Sequence, residues 1–184
     1  MALPRLEIDG EWFRDTDGRR HILRGVNLGG DCKVPYTPNG HTNIPTDFSD
    51  HRTVSFVGRP FPLAEAEEHF RRLEAWGFNC LRLLTTWEAV EHEGPYRYDE
   101  AYLDYFAELC RMADGYGMYV FIDFHQDVWS RMTGGDGAPG CLFDAVGFDF
   151  TKFHAAGATH VMQYTYDFAP GCRPGATYPS MTWS

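Results

Sequence analysis

Lysine is nearly missing from this chain: of its 16 basic residues all are arginine except Lys33 and Lys152. Positive charge is short altogether, with 26 acidic residues against those 16 and a formal charge of −10. That balance argues against a nucleic-acid or anionic-membrane partner. Long apolar runs are absent too. The longest, residues 118–122, falls far short of the ~20 residues needed to cross a bilayer, and the first residues hold no apolar stretch of signal-peptide length. The five cysteines are scattered, odd in number and without a Cys-x-x-Cys pair, which argues against a disulfide framework or structural zinc. Reduced thiols in a cytoplasmic protein are the simpler expectation.

What is present is a globular composition: 184 residues, 43% hydrophobic, 16% aromatic and 23% charged. Such a profile excludes a disordered tail, a coiled coil and a collagen-like repeat, and the length suits one domain over 1–184. Residues 1–20 read as a hairpin, because Asp9-Gly10 separates two short extended runs, 6–8 and 12–14. After the turn at Asp15 to Gly18, residues 21–28 read as one buried strand ended by Gly29-Gly30. Residues 31–61 have prolines and glycines but no periodicity, and loops that long are commonly functional.

Beyond that loop the period changes. Pro62 suits the first turn of a helix, Ala66, Phe70, Leu73 and Trp76 recur at helical spacing, and Gly77 can stop it. A strand follows at 79–85, then a loop over 87–98. Asp99 can cap a second helix striped by Tyr102, Leu103, Phe106, Leu109, Cys110 and Ala113. Another apolar strand begins at Met118 and runs to His125. Apolar strands alternating with amphipathic helices predict an α/β protein with a parallel sheet covered on both faces. The stretch 134–140 reads as a flexible loop, 148–166 as one helix weakened by Gly157, and the tail from Pro170 as loop. Three βα units are too few for a closed (β/α)8 barrel, which takes ~250 residues.

In parallel α/β folds the working groups lie at the carboxyl ends of strands. Those ends hold Asn27 to Lys33, then Arg82 with Thr85 to Glu88, then Asp123 to Asp127. Alternation puts Phe121, Asp123 and His125 on one side of their strand. An aspartate between Ile122 and Phe124 is costly to bury unpaired, and Arg82 is its natural partner. The same pair reads equally well as purely structural, and His125 as a core histidine. Gln126 and Asp127 read as caps of the next segment. Trp87, Trp129 and Tyr36 suit either packing or a sugar face, while Glu88, Glu91 and Glu93 read as a solvated acidic loop. The glycine-rich stretch lacks the Lys-Ser/Thr of a phosphate loop, which argues against nucleotide binding. A metallohydrolase site would need several histidines from several strands, and the first strand, ending in Asn27-Leu28-Gly29-Gly30, offers no histidine pair.

The runs Leu23-Arg24-Gly25-Val26-Asn27-Leu28-Gly29-Gly30, Gly77-Phe78-Asn79-Cys80-Leu81-Arg82-Leu83, Trp87-Glu88-Ala89 and Asp123-Phe124-His125-Gln126-Asp127-Val128-Trp129 together resemble glycoside hydrolase family 5. The branch they resemble holds the endoglycoceramidase-related enzymes, including fungal steryl β-glucosidases. The resemblance implies part of a (β/α)8 barrel, with 31–61 on the active-site side, and retaining hydrolysis of β-glycosides without a cofactor. It implies a β-glycoside or glycolipid substrate, membrane contact only through that substrate, and no partner protein. By position, Arg82 matches the arginine that orients the nucleophile, and His125 the active-site histidine after the third strand. Asp127, with Lys33 and Asp123, matches positions that hydrogen-bond the sugar beside the scissile bond. Retention needs two carboxyl groups about 5–5.5 Å apart. In this family the acid/base glutamate follows an Asn after strand four, yet no Asn-Glu pair occurs in the 184 residues. The chain therefore reads as an N-terminal portion without either catalytic glutamate, inactive alone, with a non-catalytic sugar- or glycolipid-binding remnant as the alternative.

Overall fold

The computed structural model describes residues 3–37 and 50–161. Turn chemistry shapes the start. β1 (Leu6–Asp9) and β2 (Trp12–Asp15) pair antiparallel across Asp9-Gly10, with Gly10 at φ +60°, and β2 pairs antiparallel with β3 (Arg20–His21). The second turn is tied by the Asp15 carboxylate. It accepts the backbone N–H groups of Asp17 and Arg19 and sits 2.9 Å from the His21 ring.

The run 21–28 is not one strand. It divides between β3 and β4 (Gly25–Leu28), which belong to different sheets. The cause is Asn79, whose side chain accepts from Arg24 N at 2.7 Å and donates to the Ile22 carbonyl at 3.0 Å. Backbone groups claimed by that amide cannot join a ladder, so pairing stops and restarts.

The second sheet is parallel, in the order β4, β5 (Cys80–Thr85), β6 (Tyr119–Phe124), with Asn27, Arg82 and Phe121 in register. Among the described residues helices cover one face and not the expected two: α1 (Leu63–Ala75) and α3 (Glu100–Gly115) pack on one side, while Phe121 on the other is 59% exposed. Leu81 and Leu83 of β5 are buried with Ala66, Phe70 and Leu73 of α1 and with Tyr102, Tyr105, Phe106, Leu109 and Ala113 of α3. Burying one such large side chain stabilises by roughly 1.5–3 kcal/mol. Tyr102 reaches Thr85 Oγ1 at 2.9 Å and Tyr105 donates to the Phe61 carbonyl at 2.6 Å, so both buried phenols are satisfied. Burial raises both phenol pKa values. Asp99 caps α3 as the sequence predicts, accepting from Tyr102 N. Trp76, placed in the α1 stripe by spacing, is 66% exposed because the helix ends at Ala75.

Three further expectations are corrected. Residues 87–98 open with a short helix, α2 (Trp87–Glu91), capped by Thr86 through a bond from Ala89 N. The glycine-rich stretch 134–140 is largely buried, not a loose surface loop. The single helix over 148–166 does not form within the described part, 148–161. A helix does form earlier, α4 (Cys141–Val146), stopped by Gly147 at φ +77°. After it come a 3-10 turn (Phe150–Lys152), held by the Asp149 side chain, and Gly157 at φ +68°. Residues 38–49 of the long loop, 162–166 of that helix, the tail from Pro170 and Cys172 lie outside the described residues.

Candidate functional site

Period two on β5 turns Leu81 and Leu83 to the helices and Arg82 to the other face. From there Arg82 Nη2 reaches Asp123 Oδ2 on β6 at 2.8 Å, and Nη1 donates to Asn27 Oδ1 on β4 at 3.4 Å. The expected Arg82–Asp123 pair is therefore made. Its carboxylate has a second partner: His125 Nδ1 lies 2.9 Å from the same Oδ2. The His125 backbone is fixed separately, its N–H donating to the Thr85 carbonyl at 2.8 Å.

Lys33 ends a 3-10 turn (Gly30–Lys33) that begins where β4 stops. Its ammonium stands 4.0 Å from Asp127 Oδ2 and 3.8 Å from Asp136 Oδ2. The two aspartates are joined by backbone: Asp127 N donates to the Asp136 carbonyl at 3.1 Å, and Asp136 N returns the bond at 2.8 Å. Just past Asp127 the chain bends sharply, with Val128 at φ 47° and Trp129 at φ 76°. Non-glycine residues in that region cost about 1–3 kcal/mol each, so the surroundings must hold the bend in place.

Part of that hold is a buried ion pair. Arg131 donates to both oxygens of Glu88, at 2.7 and 2.6 Å, and to the Asp50 carbonyl at 3.1 Å. Glu88 is 1% and Arg131 2% exposed. Glu88 N also donates to the Gly137 carbonyl at 2.7 Å, pinning the glycine-rich stretch onto α2. Glu88 is thus no solvated loop acid. Trp87 Nε1 donates to Glu91 at 2.7 Å, and Tyr36 lies over the Arg59 guanidinium at 5.4 Å.

The structure brings all five predicted residues, Lys33, Arg82, Asp123, His125 and Asp127, into one chain of contacts. It adds one that the sequence reading missed, Asp136. This residue is 3% exposed, and burial lifts its carboxyl to about 6 against the lowering pull of Lys33 and His125. The only sequence signal for it was an aspartate flanked by glycines. His125, Asp127 and Asp136 each offer an atom within 4.8 Å of the others and could together hold a cation. Lys33 already supplies positive charge at that spot. Asp136 is too enclosed to pass a proton to a leaving group. The arrangement can orient hydroxyl groups and fix an arginine for a carboxylate, and the face bearing Asn27, Arg82 and Phe121 stays open, Phe121 being 59% exposed.

Comparison with known proteins points to one family. The chain is 46% identical over 187 residues to a glucosylceramidase of Aspergillus fumigatus, an alignment that covers 100% of this chain and 23% of that protein. It is 40% identical to the ergosteryl-beta-glucosidase of Saccharomyces cerevisiae, covering 97% of this chain and 24% of the relative. A crystal structure of Cryptococcus neoformans sterylglucosidase 1 superposes with a TM-score of 0.76 at 42% identity, over 82% of this chain and 21% of that one. The chain thus spans about a quarter of the length of the relatives it matches. The family model for cellulase (glycosyl hydrolase family 5) matches residues 39–159, and with it the fold, the parallel strands and the relatives coincide: the chain belongs to glycosyl hydrolase family 5.

Proposed function

We propose that this chain supplies the sugar-gripping side of a retaining β-glycosidase site for glycolipids such as steryl glucosides or glucosylceramide. The observation that carries the reading is the line Arg82–Asp123–His125 beside Lys33 and Asp127. Arg82, held by Asp123, is the group that orients a nucleophilic carboxylate; a fixed guanidinium does this by two-pronged hydrogen bonding. His125, Lys33, Asp123 and Asp127 hydrogen-bond the hydroxyls of the sugar beside the scissile bond. The names of the glucosylceramidase and ergosteryl-glucosidase relatives support a glycolipid, and the 3-10 turn Gly30–Lys33 brings Lys33 beside Asp127.

The 184 residues contain no Asn-Glu pair. Without a nucleophile and a proton donor, no glycosyl intermediate forms. These residues alone therefore bind a glycoside without cutting it. Contact with a membrane comes through the substrate, and the cytoplasm is the compartment proposed. No helix among the described residues is long and apolar enough to cross a bilayer.

The test is calorimetric titration of the chain with a soluble β-glucoside, alongside an assay of steryl glucoside and glucosylceramide hydrolysis. Binding without turnover is expected, and Lys33→Met or Asp127→Asn weakens it about tenfold, the loss of one charge-assisted hydrogen bond. Turnover by these 184 residues, or binding indifferent to both substitutions, overturns the reading.

A further inference from the structure

Glu88 grips both arms of the segment that carries Asp127 and Asp136. Beyond Asp127, Arg131 lays its guanidinium on both oxygens of Glu88, at 2.7 and 2.6 Å. Next to Asp136, the Gly137 carbonyl accepts the Glu88 N–H at 2.7 Å. The helix that bears Glu88, α2, follows directly on β5 and is capped by Thr86. Arg131 also donates to the Asp50 carbonyl at 3.1 Å, so α2, the long segment and the glycine-rich stretch meet on one buried pair. Lys33 has a separate anchor: the turn it ends runs into Val34 and Pro35, whose carbonyls accept from Arg59 at 3.2 and 3.1 Å.

Stability does not account for the pair. Withdrawing two charges from water costs about what their attraction returns, and apolar side chains of similar size often serve a fold as well or better. What apolar side chains cannot supply is direction. A guanidinium on a carboxylate has one flat, two-pronged geometry, whereas packed methylenes slide. Asp127 lies immediately before the bend at Val128 and Trp129, both at positive φ, which its surroundings must hold. The Lys33 ammonium stands 4.0 Å from Asp127 and 3.8 Å from Asp136, at the outer limit of an ion pair, so a small outward shift of that segment breaks both contacts.

We propose that Glu88 and Arg131 are positioning residues of the site: their buried ion pair fixes segment 127–137 so that Asp127 and Asp136 face the Lys33 ammonium. Neither residue touches the substrate. Glu88 ties the two arms to the end of β5, and Arg131 gives that tie its direction. With the pair intact, the acids and the ammonium stay within reach of one another although they come from different parts of the chain. With the pair replaced by apolar side chains, the fold remains and the acids drift from Lys33. That Lys33 and Asp127 grip a sugar is the reading proposed above, and only the binding half of the test rests on it.

The scarcity of lysine supplies the test. Lys33 and Lys152 are the only two, with side chains 14% and 78% exposed, so competitive acetylation read by peptide mass spectrometry compares a held amine with an open one. In Glu88→Leu with Arg131→Met, the Lys33-to-Lys152 labelling ratio is expected to rise about fivefold while the urea midpoint stays near that of the parent. Asp127→Asn raises the ratio by itself and adds little in the doubly substituted chain, because the pair acts through Asp127. Calorimetric affinity for a soluble β-glucoside falls about tenfold in the double variant. An unchanged labelling ratio in the folded double variant overturns the proposal, as does a rise fully additive with that of Asp127→Asn, or an affinity equal to that of a parent that binds. If the double variant does not fold, Arg131→Lys, which keeps the charge and loses the fork, decides: a raised ratio supports the proposal and an unchanged one overturns it. A parent that binds no glucoside defeats the sugar reading alone, and the labelling still judges the ion pair.

Discussion

Arg82 and His125 meet on a single oxygen: Oδ2 of Asp123 lies 2.8 Å from the guanidinium and 2.9 Å from the imidazole. Neighbouring parallel strands place the two donors on either side of that carboxylate, so losing it releases both side chains at once.

Asp123→Ala is expected to destabilise the chain by about 1–2 kcal/mol, a figure kept modest because Arg82 is partly exposed. Asp123→Asn, which keeps the shape but not the charge, loses less stability yet frees Arg82 from its fixed orientation. Urea denaturation midpoints of the two variants check the order; equal midpoints with the parent would show the shared oxygen to be energetically idle.

The Glu88–Arg131 pair behaves differently because both partners are enclosed. Glu88→Gln leaves a buried guanidinium without its carboxylate and costs about 3–5 kcal/mol. Replacing both residues together, Glu88→Leu with Arg131→Met, costs less than the single change. Denaturant melts of the three variants read this directly.

Asp136 gives a pH dependence with a definite sign. Its folded carboxyl is lifted to about 6 by burial, so the folded chain keeps a proton that the unfolded chain releases. An unfolded aspartate titrates near ~3.9. The stabilising contribution is complete below about 4 and is lost as pH rises through about 6. Asp136→Asn flattens the difference in stability between pH 4 and pH 7 by about 2 kcal/mol relative to the parent. Urea melts at four pH values across that window suffice, and parallel curves for the two proteins would refute it.

Two glycines separate close packing from open space. At Gly135 a Cβ would collide with the Asp127 carbonyl, the same group that accepts Asp136 N. Gly135→Ala should cost about 1–3 kcal/mol and displace Asp127 from Lys33. Gly115, at the end of α3, meets nothing within 4 Å. Gly115→Ala should stabilise by roughly 0.5–1 kcal/mol. Paired thermal melts distinguish the two.

Strong local chemistry was legible in the residues. Asp-Gly turns, the Pro62 and Asp99 helix starts, the stripes through Phe70 and Leu109, and the apolar strands at 79–85 and 118–125 all lie close to where the chain places them. So was the pairing of Arg82 with Asp123, because an acid between Ile122 and Phe124 demands a cation and the adjacent strand has one. Elements whose stability comes from elsewhere were not legible. The α2 helix is only five residues long and depends on its Thr86 cap and on the bond from Glu88 N to Gly137. The break between β3 and β4 depends on an asparagine 55 residues distant from Arg24.

The sequence by itself determined the alternation of strands and helices and the family, and it singled out Lys33, Arg82, Asp123, His125 and Asp127 as candidates, since each is written in local spacing or in contiguous motifs. Only the tertiary structure decided that Glu88 is buried against Arg131, that the glycine-rich stretch is packed, and that Asp136 faces His125. Those outcomes turn on which polar groups are withdrawn from water together, and desolvation is a property of neighbours brought in from far along the chain.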